Sequence, residues 1–438
     1  MLKSAKSKDF FVYLSHCLKR IKTIAMKRLF LLLLPLLWLS FCVWGEDVGE
    51  ITVNTHHNAI VTPPVDAPAA DVAVNAPEAP QPEPENRSEK PPIFTKPKFS
   101  GYGIGSYQAT FQEGNNSNTF NVRIVRVSLD GLILNELYYK VQGQINGNTS
   151  TLGSSPRLVD FFMEWQRFDF FKVKLGQFKR PFTFENPMHP LDQGFMSYSQ
   201  PVSKLAGFSD RTGEHASNGR DIGLQFQGDF LKSSSGRYLL HYQVGVFNGQ
   251  GINVADVDKK KDLIGGIWVM PVAGLRIGAF GWEGSYARKA GGEVLSLNKH
   301  RYAFSAEYKK GDLQLRAEYI HSTGAGFATT YQKPGDATDL SIKTYADRDG
   351  NEIAANKADG FYALAVVPVY RDKLMAKCRY DLYRPSATWL HAKTNYEIGL
   401  NFRFCKYFEI QSEYVFTNDR SLAKHNYSSI YVQVSVRY

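Results

Sequence analysis

The sequence lacks any run of about twenty apolar residues, the length that a membrane-spanning helix requires. Its most apolar stretch, Leu29 to Trp44, is interrupted by Pro35 and Ser40. Mean hydropathy is −0.31, which excludes a helical membrane protein. Cysteine is scarce: of four, Cys17 and Cys42 lie near the N-terminus, leaving Cys378 and Cys405. These two fall several residues out of register on the neighbouring strands assigned below. At about 3.3 Å rise per residue they are too far apart to bridge, so no disulfide is expected. Histidine shows no metal-ligand spacing. His56-His57 is an isolated pair, and His189, His215, His300, His321, His391 and His425 are scattered, so no metal or other cofactor is implied.

A charge of one sign is missing too. The overall excess is +10, but residues 1–45 hold eight basic and one acidic residue. Residues 46–97 hold three and nine, and residues 98–438 hold 41 and 32. Without a clustered basic stripe, nucleic acid is not an expected partner.

What is present begins with an export signal. Met26-Lys27-Arg28 is a short basic segment, Leu29 to Trp44 an apolar one, and Val43-Trp44-Gly45 places small residues at a cleavage site. Met26 can therefore serve as the start, with residues 1–25 preceding a complete leader. Cys42 follows the bulky Phe41, a poor context for lipid attachment. Residues 1–45 are read as leader. Residues 46–97 contain ten of the 20 prolines among Ala, Glu and Val. Such a composition buries too little apolar surface to offset its conformational entropy, and predicts a disordered, extended periplasmic tether.

From Lys98 to Tyr438 apolar and polar residues alternate in segments of about 9–15 residues, the period of a strand with two unlike faces. Leu313-Gln314-Leu315-Arg316-Ala317-Glu318-Tyr319 is one such segment. Sixteen segments can be counted, among them 119–130, 132–147, 274–287 and 299–310. Every second connection is tight (Asp130-Gly131, Phe168-Asp169, Lys310-Gly311, Cys405-Lys406), whereas the others run up to 179–219 and 324–357. Nine prolines lie beyond residue 97, all in a proposed loop or turn or at its edge, as the missing amide donor requires. Aromatics reach 13%, with 24 Tyr and 29 Phe, enough for girdles at two membrane interfaces. The expected fold is all-β: a sixteen-stranded antiparallel transmembrane β-barrel over residues 98–438, in the bacterial outer membrane, with lipid as a partner.

Three stretches resemble the phosphate-selective porin O and P family. They are Lys174-Leu175-Gly176-Gln177-Phe178-Lys179-Arg180-Pro181-Phe182, then Gly219-Arg220-Asp221-Ile222-Gly223-Leu224-Gln225, and the strand Phe120 to Gly131. The resemblance implies a homotrimeric porin that passes small anions such as phosphate by diffusion, with the loop 179–218 folded inward. One departure is Ile124, where the family often has a further arginine. Along the polar face, twelve basic residues oppose eleven acidic ones, so the residues themselves do not dictate phosphate specificity. The expected pore-lining set is Arg126, Lys140, Lys172 and Lys174 on strands, with Lys179, Arg180, Lys204 and Arg211 from the loop. The same loop holds Glu185, Asp192, Asp210 and Glu214. Two readings of these charges stand open: an anion filter, or a lumen of interleaved salt bridges. The alternatives to a channel are a non-conducting surface anchor acting through 324–357 and a barrel enzyme.

Overall fold

A computed structural model describes residues 93–146, 156–208, 217–329 and 340–438. The expected leader, nearly all of the tether, Arg211, Asp210, Glu214, His215 and Pro334 lie outside the described residues. Sixteen strands close into one antiparallel barrel in which each strand pairs with its neighbours along the chain. The first eight are β1 (Lys98–Phe111), β2 (Ser117–Ile133), β3 (Leu137–Gln144), β4 (Arg157–Phe168), β5 (Phe171–Lys179), β6 (Arg220–Lys232), β7 (Tyr238–Phe247) and β8 (Asp262–Val269). The others are β9 (Leu275–Ala290), β10 (Glu293–Lys310), β11 (Leu313–Thr323), β14 (Lys357–Tyr370), β15 (Leu374–Arg384), β16 (Lys393–Cys405), β17 (Phe408–Asp419) and β18 (Asn426–Arg437). Two short strands, β12 (Thr344–Ala346) and β13 (Glu352–Ala354), form a separate hairpin within the loop 324–357. Among the described residues there is one helix, the six-residue α1 (Gln200–Leu205), with Pro201 in its first turn and Ser199 as its cap.

Alternation sorts the side chains. On β10, Arg301, Ala303, Ser305 and Glu307 are buried inside, while His300, Tyr302 and Phe304 are exposed outside. Exposed and half-buried aromatics form two belts. Near the short turns, Phe168, Phe170, Phe230 and Tyr242 follow one another with ring separations of 5.4, 6.3 and 5.5 Å. Towards the long loops, Phe361, Tyr380, Tyr396 and Phe416 are spaced at 6.4, 5.5 and 6.3 Å. Amphipathic rings at both interfaces are what a membrane barrel requires.

Closure rests on β1 and β18, paired from Tyr102↔Arg437 to Phe111↔Ser428. The Tyr438 ring lies over Gly101, where an added Cβ would sit 2.4–2.7 Å from ring atoms. Gly101→Val is therefore expected to block closure, read as loss of the heat-modifiable folded band on a gel. Gly103→Val, whose Cβ meets nothing within 4 Å, should keep that band.

Two expected connections differ. The chain does not turn at Asp130-Gly131: it stays extended to Ile133 and turns at Leu134 and Asn135, both with positive φ (53 and 59°), as a tight hairpin demands. Gly131 instead pairs with Tyr139, whose ring covers it. The expected gap 288–298 is likewise strand, because Gly291-Gly292 (φ 59 and 90°) turns β9 directly into β10. Before β1, the Thr95 amide donates to the Leu132 carbonyl at 2.9 Å and the Leu134 amide to the Ile93 carbonyl at 2.7 Å. The chain thus joins the barrel at its short-turn end.

Candidate pore constriction

The segment between β5 and β6 folds into the lumen. Its apolar residues drive this: Phe182, Phe184, Phe195, Val202 and Leu205 are at most 2% exposed. They pack on Phe247, Phe280, Trp282, Ile320 and Tyr362 of the wall. Phe184 meets Trp268 and Phe280 edge-on at 5.5 and 5.4 Å. Burying each such ring contributes about 1.5–3 kcal/mol.

Wall charges then hold the loop backbone. Arg316 donates to the Gln193 carbonyl at 2.8 Å, Lys377 to Gly194 at 3.2 Å, Arg379 to Ser197 at 2.9 Å and Arg301 to Leu205 at 2.9 Å. Acids take the amides: Glu318 accepts from Phe184 and Glu185 at 2.8 and 3.0 Å, Glu413 from Met196 at 2.8 Å, and Asp381 from Gln200 at 2.9 Å. The loop's two described acids are also committed. Glu185 accepts the Ser199 hydroxyl at 2.5 Å and pairs with Arg316 at 3.3 Å, and Asp192 pairs with Arg437 at 3.2 Å. On this side of the barrel, ionic groups brace the constriction.

The opposite wall differs. Between β1–β6 and the loop lie two adjoining cavities of about 410 and 250 Å³ that share Arg126 and Pro190. Among the described residues, the larger is lined by Arg123 and Arg126 and by no carboxylate. The smaller is lined by Arg126, Lys140, Lys174, Lys179 and Arg220, with Asp160 as its one carboxylate among the described residues. Arg220 pairs with Asp160 at 2.6 Å, and Lys174 pairs with Glu164 at 3.1 Å. Among the described residues no carboxylate lies within ion-pair distance of Arg123, Arg126, Lys140 or Lys179. Arg126 donates to Gln144 and Tyr102, each at 3.1 Å. Lys179 donates to the carbonyls of Asn186 and Met188 and to the Tyr198 hydroxyl, at 2.9, 2.7 and 2.6 Å. His189, on the loop, adds no cation. Burial pushes its imidazole down to about 4, with Asp192 opposing and Lys179 assisting, and the neutral Nδ1 accepts the Leu191 amide at 3.2 Å.

Of the eight residues expected from the sequence, the structure gathers Arg126, Lys140, Lys174 and Lys179 at these cavities. Lys172 is not among them: it pairs with Asp229 at 3.6 Å. Arg180 is fully buried, pairs with Asp221 at 3.0 Å and stacks on Trp282, so it anchors the loop's entry. Lys204 lines a separate cavity in which Lys343, Arg379 and Lys393 face Asp381, Glu397, Glu413 and Asp419.

Arg123 and Arg220 were missed. The signal for Arg220 was its place in the second family-like stretch. Arg123 is hidden by a bulge: Ile104 pairs with Ile124, but Gly105 pairs with Val122. The inserted residue reverses which parity faces inward, turning Val122 and Phe120 outward (50% and 85% exposed) and Arg123 into the lumen. There it donates to the Met196 carbonyl of the loop and to Gln433 at 3.0 Å. The Asn146 amide satisfies the bulged backbone, donating to Val122 and Arg123 and accepting from Val125.

Residues 100–263 match the family model for phosphate-selective porin O and P. No curated protein matches the sequence. The barrel is similar to the anion-selective porin from Comamonas acidovorans, at 14% identity and a TM-score of 0.54, covering 78% of this chain and 99% of that one. It is also similar to Salmonella typhi OmpF, solved in complex with daunomycin (11%, 0.53, 78% and 97%). A third is the outer-membrane channel DcaP of Acinetobacter baumannii (11%, 0.51, 78% and 97%). The closed sixteen-stranded antiparallel barrel is the fold of outer-membrane porins, and over residues 100–263 the chain is similar to the phosphate-selective porin O and P family.

Proposed function

We propose that the protein is a passive diffusion channel for small hydrophilic solutes that prefers anions such as phosphate, and is not an enzyme. The observation that carries this reading is the set Arg123, Arg126 and Lys140, none paired with a described carboxylate, around the two cavities beside the constriction. Fixed cations in a narrow, low-dielectric passage raise the local concentration of anions and lower the entry barrier for them. The anion-selective Comamonas porin, whose fold the barrel shares, supports the same direction.

Two finer points belong to this reading. The barrel works as a homotrimer, as the family resemblance implies, through the outer wall at Gly103 and Gly105 of β1, where an added Cβ would meet nothing within 4 Å. The N-terminal tether lies in the periplasm, because residues 93–95 join the barrel beside the short turns, which face that compartment in outer-membrane barrels. Planar-bilayer recording of the folded protein tests the channel itself. Steady, ohmic single-channel steps are expected; a verified folded barrel without conductance would overturn the reading in favour of a surface anchor.

A further inference from the structure

The outer wall carries a groove that solute diffusion does not use. Between β7 and β11 a depression of about 680 Å³ runs across Gly265 and Gly281. Val244, Leu263 and Tyr302 line it and are 38, 52 and 45% exposed. Their strand neighbours Ile264, Trp282 and Arg301 point inward and are buried. A Cβ at Gly281 would meet nothing within 4 Å, so the groove is open because side chains are absent.

Its upper end is polar. Tyr302 lies 6.3 Å from Tyr319, which pairs across the strands with Phe361 of the upper belt. His300, bonded to Glu283 at 2.5 Å, sits one step nearer the long loops, and His321 stacks on Tyr302 at 5.2 Å. Above them Lys260 reaches Asn298 at 3.4 Å, which brings the exposed run Lys259-Lys260-Lys261 to the head of the groove. The nearby acids are occupied: Asp256 holds Lys261, and Asp258 accepts the hydroxyls of Ser285 and Ser296 at 3.0 and 2.5 Å. Lys259 and Lys260 stay exposed, as does Lys289 on the adjoining hairpin.

We propose that this groove seats an acyl chain of a phosphorylated glycolipid of the outer leaflet, its phosphate against Lys259, Lys260 and His300. An apolar trough facing the bilayer, ending in cations at the interfacial belt, matches both halves of such a lipid. In the trimer proposed above, a second copy of the chain meets β1 at Gly103 and Gly105 instead.

Native mass spectrometry of the full chain, titrated with bis-phosphorylated lipid A or its dephosphorylated form, tests this. One lipid A per barrel is expected, bound more tightly than the dephosphorylated form. Gly281→Phe, which fills the trough, should weaken binding of both forms. Lys259→Gln with Lys260→Gln, on an exposed loop, should abolish the preference for phosphate, and neither variant should change conductance. Unaltered binding in both variants would overturn the proposal. So would equal affinity of the native chain for the two lipids, or a change of oligomer mass in Gly281→Phe, which would assign the groove to a second copy.

Discussion

Replacing Arg123 and Arg126 together by glutamine is expected to lower the chloride-over-potassium permeability ratio about tenfold. At about 5 Å from a permeating ion in a water-like dielectric, one charge contributes roughly 0.8 kcal/mol, a factor of about four. Two such charges multiply to about sixteen, and salt screening trims this. Glutamine keeps most of the length and hydrogen-bonding capacity, so Arg126 can still be replaced beside Gln144 and Tyr102 without leaving them facing an empty space. Lys204→Gln is the matched control. Its cavity balances cations with carboxylates, so the ratio should shift by less than about twofold, within the range of an exposed ion pair. Reversal potentials in a salt gradient give both values. An unchanged ratio in the double variant would remove the anion filter from the account.

Removing the inward loop should have the larger effect on flow. With residues 182–216 replaced by a short Gly-Ser bridge, single-channel conductance should rise several-fold and the anion preference should fall. The barrel is expected to survive, because β5 and β6 pair directly from Lys172↔Gln227 to Lys179↔Arg220. Arg316, Lys377, Arg379, Glu318 and Glu413 would lose backbone partners but gain water. Conductance equal to that of the native chain, from a barrel shown to be folded, would mean that the loop does not set the constriction.

The barrel was legible in the sequence because one physical rule repeats: alternate side chains face lipid and lumen, and short turns separate them. The count of sixteen follows from it, whereas the inward loop was expected only from the family resemblance. What alternation cannot show is a bulge. One extra residue at Arg123 exchanges the two faces of β2, and the residue that satisfies its backbone, Asn146, comes from the far end of β3. The turn at Leu134-Asn135 was missed for a related reason, since Gly131 looks like a turn glycine but is a mid-strand site covered by Tyr139. The charge balance could be read only as a total. Twelve bases against eleven acids left an anion filter and a lumen of salt bridges both open; in the structure Glu318, Asp381 and Glu413 hold the loop backbone, while Asp160, Glu164, Asp221 and Asp229 pair with Arg220, Lys174, Arg180 and Lys172. The surplus lies on β2, β3 and β5, and that segregation depends on which strands the loop leans against. Sequence proximity to the loop also does not reveal what a cation faces: Arg180 is buried against Asp221 and Trp282, and Lys204 lines a cavity shared with four carboxylates.

The reversal potential of the native folded channel in a potassium chloride gradient is the most direct test of the account. The fixed cations beside the constriction predict a value displaced towards the chloride equilibrium potential. A value displaced towards that of potassium would contradict it.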